Sequence, residues 1–199
     1  MHSAAILSGG RAARFGGRDK SALVVGGRSI LLRQLRELTQ VAGDVMIIGG
    51  NPPRDAIGTA RVLQDHIPGC GPLGGLHAAL AEATGEAVVV VACDMPYVTA
   101  ALLRHLLTLT CEADAVVPRT ARGYHPLCAA YTRACLEPVV RRLGDGRLQM
   151  SGLFDEVRVR SVTGDELGAF GDPDRLLANI NSPDEYLELA ALQGHELQS

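Results

Sequence analysis

The sequence predicts an α/β fold, a three-layer sandwich around a mostly parallel, Rossmann-like sheet. Three observations carry this expectation. Ala87 to Ala92 is an unbroken Ala/Val run, the composition of a strand buried on both faces. Similar short apolar runs alternate along the chain with segments whose leucines recur at helical spacing. The 199 residues, 47% hydrophobic and 21% charged, suit one domain over 1–199 that can bury a core without staples.

In chain order, Ala4 to Leu7 reads as a buried strand stopped by Gly9-Gly10. Leu31, Leu35, Leu38 and Ala42 fall on one helical face, with Arg33, Arg36 and Glu37 on another. Asp44 to Ile48 is a strand, Val62-Leu63 a shorter one, and a Gly/Pro-rich loop follows from Pro68 to Gly75. Leu76, Ala79, Leu80 and Ala83 mark a helix over 73–84, and Leu102, Leu103, Leu106 and Leu107 one over 99–109. Ala113 to Val117, His125 to Tyr131 and Glu156 to Val162 are the remaining strands, with a helix over 137–143 whose first turn takes Pro138. Segment 144–155, rich in glycine, is expected to be an insertion or lid. Ser182-Pro183-Asp184-Glu185 supplies an N-cap, a proline at the first helical position and an acid at the third, which starts a closing helix.

Composition excludes several functions. Nineteen basic against 22 acidic residues leave a net charge of −3, with no overall field to gather nucleic acid, and seven aromatics without tryptophan offer few stacking platforms. The five cysteines are odd in number and lack structural-zinc spacing, so they read as small buried hydrophobes in a reducing compartment. No apolar run approaches a signal-peptide core or a membrane span, which makes a cytoplasmic location the expectation.

Ligands of open α/β sheets sit beyond the carboxyl ends of the strands, so the loops there carry the chemistry. Residues 8–20 hold four glycines with Arg11, Arg14, Arg18 and Lys20. Such a loop turns backbone N–H groups and positive charge toward a triphosphate, although Asp19 before Lys20 separates it from a P-loop. The alternative is a solvated turn. Asn51, past Gly49-Gly50, either contacts a base or stabilises the turn. Asp65 follows the short third strand. Asp94 follows the Val-rich strand, where its carboxylate either holds Mg²⁺ against phosphate oxygens or caps the next helix. His125 is either an acceptor contact or a structural histidine, and Asn179 and Asn181 are either ligand-facing amides or turn residues. Gly69, Gly71 and Gly74 spell the dinucleotide fingerprint, but the glycines do not follow the strand directly and the reading leaves loop 8–20 unexplained.

Seven short pieces in order, Leu7-Ser8-Gly9-Gly10, Arg14-Phe15-Gly16, Asp19-Lys20, Gly71-Pro72-Leu73-Gly74-Gly75, Cys93-Asp94-Met95-Pro96, His125-Pro126-Leu127 and Asn179-Ile180-Asn181-Ser182-Pro183, resemble the molybdenum cofactor guanylyltransferase family. The resemblance implies a nucleotidyltransferase-type fold and transfer of GMP from GTP to molybdopterin-bound molybdenum, with Mg²⁺ required. It implies that Leu7, Ser8, Gly9, Lys20 and Asp65 contact the nucleotide and that Asp94 binds nucleotide and metal. Phe15 stands where methionine is common in the family. Arg14 and Lys20 would neutralise the triphosphate and the departing pyrophosphate. His125, Asn179 and Asn181 would face the acceptor, and molybdoenzymes or cofactor-handling proteins would meet the chain transiently. A cytidylyl transfer to the same acceptor, a nicotinamide-dependent oxidoreductase and a non-catalytic nucleotide-binding adaptor are the competing readings.

Overall fold

The computed structural model describes residues 1–8, 23–53 and 56–180. In chain order the elements are β1 (Ser3–Leu7), the hairpin β2 (Val24–Val25) and β3 (Arg28–Ser29), α1 (Ile30–Leu38), β4 (Asp44–Ile48), β5 (Arg61–Leu63), α2 (Gly71–Glu82), β6 (Ala87–Ala92) and α3 (Ala100–Thr108). There follow β7 (Ala115–Thr120), β8 (Gly123–Tyr124), β9 (Cys128–Thr132), α4 (Leu136–Gly144), β10 (Val159–Val162), α5 (Gly164–Gly168) and α6 (Pro173–Leu176). The sheet runs β10-β7-β9-β6-β1-β4-β5, with β8 paired to β7. Neighbours pair in parallel except around β9, which lies antiparallel to both β6 and β7, and at β8, which lies antiparallel to β7.

The period of two along each strand divides the interior into two layers. Ala4, Ile6, Val45, Ile47, Val89 and Val91 pack with α1 and α3 on one face. Ala5, Leu7, Met46, Ile48, Val88 and Val90 pack with α2 on the other, where Val139 brings α4. The expected three-layer, mostly parallel sandwich is therefore present.

Three local differences have physical causes. The strand expected from His125 begins only at Cys128, because His125 donates its N–H to the Pro118 carbonyl (2.9 Å) and accepts from Cys128 N–H (3.1 Å), closing a turn. The last strand starts at Val159 rather than Glu156, whose N–H instead donates to Leu153 O (3.0 Å) and closes the preceding 3₁₀ turn. The glycine-rich segment 144–155 is not a lid: Met150–Asp155 forms a 3₁₀ helix with Leu153 fully buried. It wraps the buried Arg142, whose guanidinium donates to Gly152 O (2.9 Å), Gln149 O (3.0 Å) and Glu156 Oε1 (2.9 Å). The cysteines of the described residues are all free, with Cys128 and Cys135 buried and Cys111 exposed. Burial pushes the Cys128 thiol up to about 12, so it behaves as the expected small hydrophobe.

The amino edge of the sheet is tied by one carboxylate. Asp44 accepts from Ser3 Oγ (2.7 Å), Arg61 Nε (3.0 Å) and the Thr84 N–H (3.1 Å). Burial pushes its pKa up, but the hydrogen bonds from Ser3, Thr84 and Arg61 outweigh this and hold the carboxyl below the ordinary carboxylate range. A depressed folded-state pKa contributes stability above the unfolded value, about 3.9, that is lost as pH falls through the folded value. Asp44→Asn is expected to lower stability at pH 7 by about 1–3 kcal/mol and to flatten the acid limb, as read by urea unfolding at several pH values. An unchanged acid limb would assign that limb to other carboxylates.

Candidate functional site

The ladder continues one residue past three strands, and this aligns the loops at the carboxyl edge. Ser8 N–H donates to Ile48 O (2.8 Å), Gly49 N–H to Leu63 O (2.8 Å) and Cys93 N–H to Leu7 O (3.1 Å). Asp65, Gly49-Gly50, Ser8 and Asp94 thus form a row that follows the sheet order β5-β4-β1-β6. The row is the feature the expected nucleotide contacts require. Leu7 ends β1 as a buried side chain, and Asn51 is exposed beyond the glycine turn. Gly9, Arg14, Lys20 and Asn181 lie outside the described residues.

Gly49 and Gly50 have φ of 75° and 68°, in the left-handed region. A Cβ on Gly50 would sit 2.7 Å from Ser8 Oγ, so the position needs glycine for space as well as for conformation. Gly50→Ala is expected to lower stability by about 1–3 kcal/mol and to weaken nucleotide binding by displacing Ser8. Gly58, at φ 56° with open space around it, is the control. A Gly50→Ala chain as stable in urea as Gly58→Ala would remove the close-approach argument.

Asp65 lies against α2. Its Oδ1 would be 3.8 Å from a Cβ on Gly75, which would also lie 3.4 Å from Leu7 Cδ2. That oxygen is buried and has no hydrogen-bond partner among the described residues. Burial pushes the Asp65 carboxyl up, opposed by the nearby charge of His66. A partnerless buried acceptor is costly, and a ligand hydroxyl or N–H would satisfy it.

Asp94 is not the cap of the following helix. Thr99 is, accepting from Leu102 N–H (3.4 Å). Instead, the Asp94 turn is clamped from two sides. Gln34 of α1, fully buried, donates from Nε2 to both Ala92 O (2.7 Å) and Met95 O (2.9 Å). Arg33 donates from Nε to Pro96 O (3.1 Å). From the opposite direction, Ile180 N–H donates to the Asp94 carbonyl (2.9 Å), with the Ile180 side chain buried among Val25 and Ile30. Sequence reasoning passed over Gln34. The available signal was its place between Leu31 and Leu38 on the apolar face of α1.

The tether at Ile180 carries Asn179 to the same region. Asn179, Met95, Tyr124 and His125 line one cavity of about 150 Å³. His125 Nε2 lies 2.9 Å from Thr120 Oγ1. Burial and the charge of Arg122 pull its pKa below the usual imidazole value, so the ring is neutral at pH 7 and meets a ligand by hydrogen bonding rather than by charge. Asp94, His125 and Asn179, distant in sequence, are therefore neighbours in space.

Among the described residues no group of three or more His, Cys, Asp or Glu gathers to hold a metal alone. A single edge carboxylate such as Asp94 suits a hard cation that takes its other ligands from phosphates and water. The dinucleotide-turn geometry is absent, since residues 64–70 separate β5 from α2. No helix of the described residues is long and apolar enough to cross a membrane.

Residues 4–159 match the MobA-like NTP transferase domain. The chain belongs to the MobA-like NTP transferase family. It is 36% identical over 183 residues to the molybdenum cofactor guanylyltransferase of Desulfosudis oleivorans, covering 90% of each chain. Its fold is that of molybdopterin-guanine dinucleotide biosynthesis protein A from Archaeoglobus fulgidus (TM-score 0.82, 23% identity, 97% of this chain and 99% of that one). It is likewise similar in fold to Rv0371c of Mycobacterium tuberculosis, solved as a complex with manganese (TM-score 0.66, 21% identity, 96% and 98%). As a MobA-like NTP transferase the chain is a nucleotidyltransferase, and its carboxyl-edge row occupies the part of an open α/β sheet where nucleotides bind.

Proposed function

We propose that this chain transfers GMP from GTP to the molybdenum-molybdopterin cofactor, forming the guanine dinucleotide cofactor and pyrophosphate in a Mg²⁺-dependent reaction. The 36% identity to a molybdenum cofactor guanylyltransferase across 90% of both chains carries this reading. The strand-edge row gives it a physical basis. An acceptor phosphate oxygen attacks the α-phosphorus, the α–β bridging P–O bond breaks, and pyrophosphate leaves. A phosphate nucleophile is already ionised near neutral pH, so the protein's work is positioning and charge neutralisation.

In this reading Leu7, Ser8, Gly9 and Asn51 seat the nucleotide, and Asp65 accepts a hydrogen bond from it. Arg14 and Lys20 balance charge on the triphosphate. Asp94 would hold Mg²⁺, which when bound neutralises and polarises the phosphates. His125 and Asn179 orient the acceptor from the cavity beside the Asp94 turn, and Asn181 would take part in the same contact. Residues 1–199 act as one domain in the cytoplasm, meeting molybdoenzymes or cofactor-handling proteins only in passing.

The test is a nucleotide panel with pyrophosphate detection in the presence of a molybdopterin-containing acceptor. GTP with Mg²⁺ is expected to support release and to raise the melting temperature more than CTP, ATP or NADH. Release with CTP alone would reassign the donor. A melting shift with NADH and none with GTP would overturn the enzyme class.

A further inference from the structure

We propose a second anion site in this chain, apart from the strand-edge row: a cavity of about 460 Å³ on the outer side of α1 that takes a diphosphate group. The volume falls within the range of small-molecule sites. Arg28 enters it from β3, and Arg33 and Arg36 enter from α1, three positions apart and so on one helical face. Like charges placed that way repel unless an anion lies between them.

Among the described lining residues four arginines stand against two carboxylates, which leaves the cavity wall net positive. Glu37 and Asp172, the two carboxylates in the lining, are already committed to helix starts. Glu37 Oε2 accepts the Ala100 N–H at the head of α3 (2.8 Å), and Asp172 Oδ1 accepts the Asp174 N–H at the head of α6 (3.1 Å). Arg33 is aimed by Pro96 O (3.1 Å) and Val25 O (3.3 Å), carbonyl acceptors that fix the guanidinium without cancelling its charge. In a chain of net charge −3 this is a local concentration of positive charge with part of its wiring buried. Four arginines line this space, Arg175 of α6 lying over the Tyr97 ring (5.0 Å), and several planar donor forks around one space match two adjacent phosphates better than a single carboxylate. Free pyrophosphate and a diphosphate ester both present that chemistry. Val98 and Leu176 add an apolar wall against which the organic part of an ester would lie.

The inference is independent of the transfer reaction, and its test measures binding alone. Inorganic pyrophosphate and guanosine diphosphate are titrated separately, by calorimetry without magnesium, into the full chain and into Arg28→Ser/Arg36→Ser. Both arginines are exposed and lie outside the strand-edge row, so the double variant keeps the fold and any strand-edge binding. The expected result is a class of sites whose association constant falls at least tenfold in the double variant and weakens with added salt. A fall for both probes identifies the free diphosphate as sufficient; a fall for guanosine diphosphate alone identifies an ester. Equal binding by the two chains, or no binding of either probe to the unaltered chain, overturns the proposal. Loss of guanylyl transfer in the nucleotide panel with the tenfold difference intact would leave this site standing and remove only the catalytic reading.

Discussion

Asp94→Asn is expected to lower kcat for pyrophosphate release on the order of 1,000-fold while the chain unfolds in urea as the unaltered protein does. The amide keeps the size of the side chain and removes its charge. The bonds that shape the turn run through backbone atoms: the Asp94 carbonyl accepts Ile180 N–H, and the flanking carbonyls of Ala92 and Met95 accept from Gln34. None of these needs the carboxylate. The loss should therefore fall on chemistry, through weaker retention of the divalent cation, rather than on stability. A Mg²⁺ titration separates the two. The variant is expected to need more metal for half-maximal rate, with partial recovery at high concentration. Turnover within tenfold of the unaltered chain would remove Asp94 from the metal role and shift attention to other carboxylates, Asp65 first.

Much of this edge was legible because strands buried on both faces leave an unambiguous trace. Ala4 to Leu7, Val45 to Ile48 and Ala87 to Ala92 each read as continuous apolar runs, and the polar residues just beyond the first and last of them, Ser8 and Asp94, stand out by contrast. The direction of a strand leaves no such trace. Cys128–Thr132 is buried on both faces whether it runs with its neighbours or against them, so the reversal of β9 could be found only in three dimensions. The segment 144–155 misled for a different reason. Gly152 gives way to the Arg142 side chain, and a glycine kept for close packing looks in sequence like a glycine kept for freedom. His125 and Asn179 were legible as residue types but not as neighbours, since their shared cavity depends on the bond between Ile180 and Asp94.

Gln34 marks the limit of sequence reading and gives the second large expected effect. A glutamine on an amphipathic helix is ordinarily assigned to solvent, yet this one is fully buried and bridges two carbonyls that bracket the Asp94 turn. Gln34→Leu fills similar space but leaves both carbonyls without that donor, a loss of about 1–3 kcal/mol in stability. The turn would then relax, and partners that orient a metal ligand are typically worth 10–100-fold in activity or metal affinity, so kcat is expected to fall by about that factor. Gln34→Glu tests the sign of the interaction. A carboxylate facing two carbonyls is repelled when ionised, so this variant should regain activity as pH falls and the side chain protonates to donate one hydrogen bond. Recovery toward low pH in Gln34→Glu, absent in Gln34→Leu, is a response that loss of packing alone would not produce. Parallel pH–rate profiles for the two variants, or an unchanged requirement for Mg²⁺ in both, would reduce Gln34 to a packing residue and leave the Asp94 turn to Arg33, Ile180 and its own bond from Met95 N–H to Ala92 O (3.2 Å).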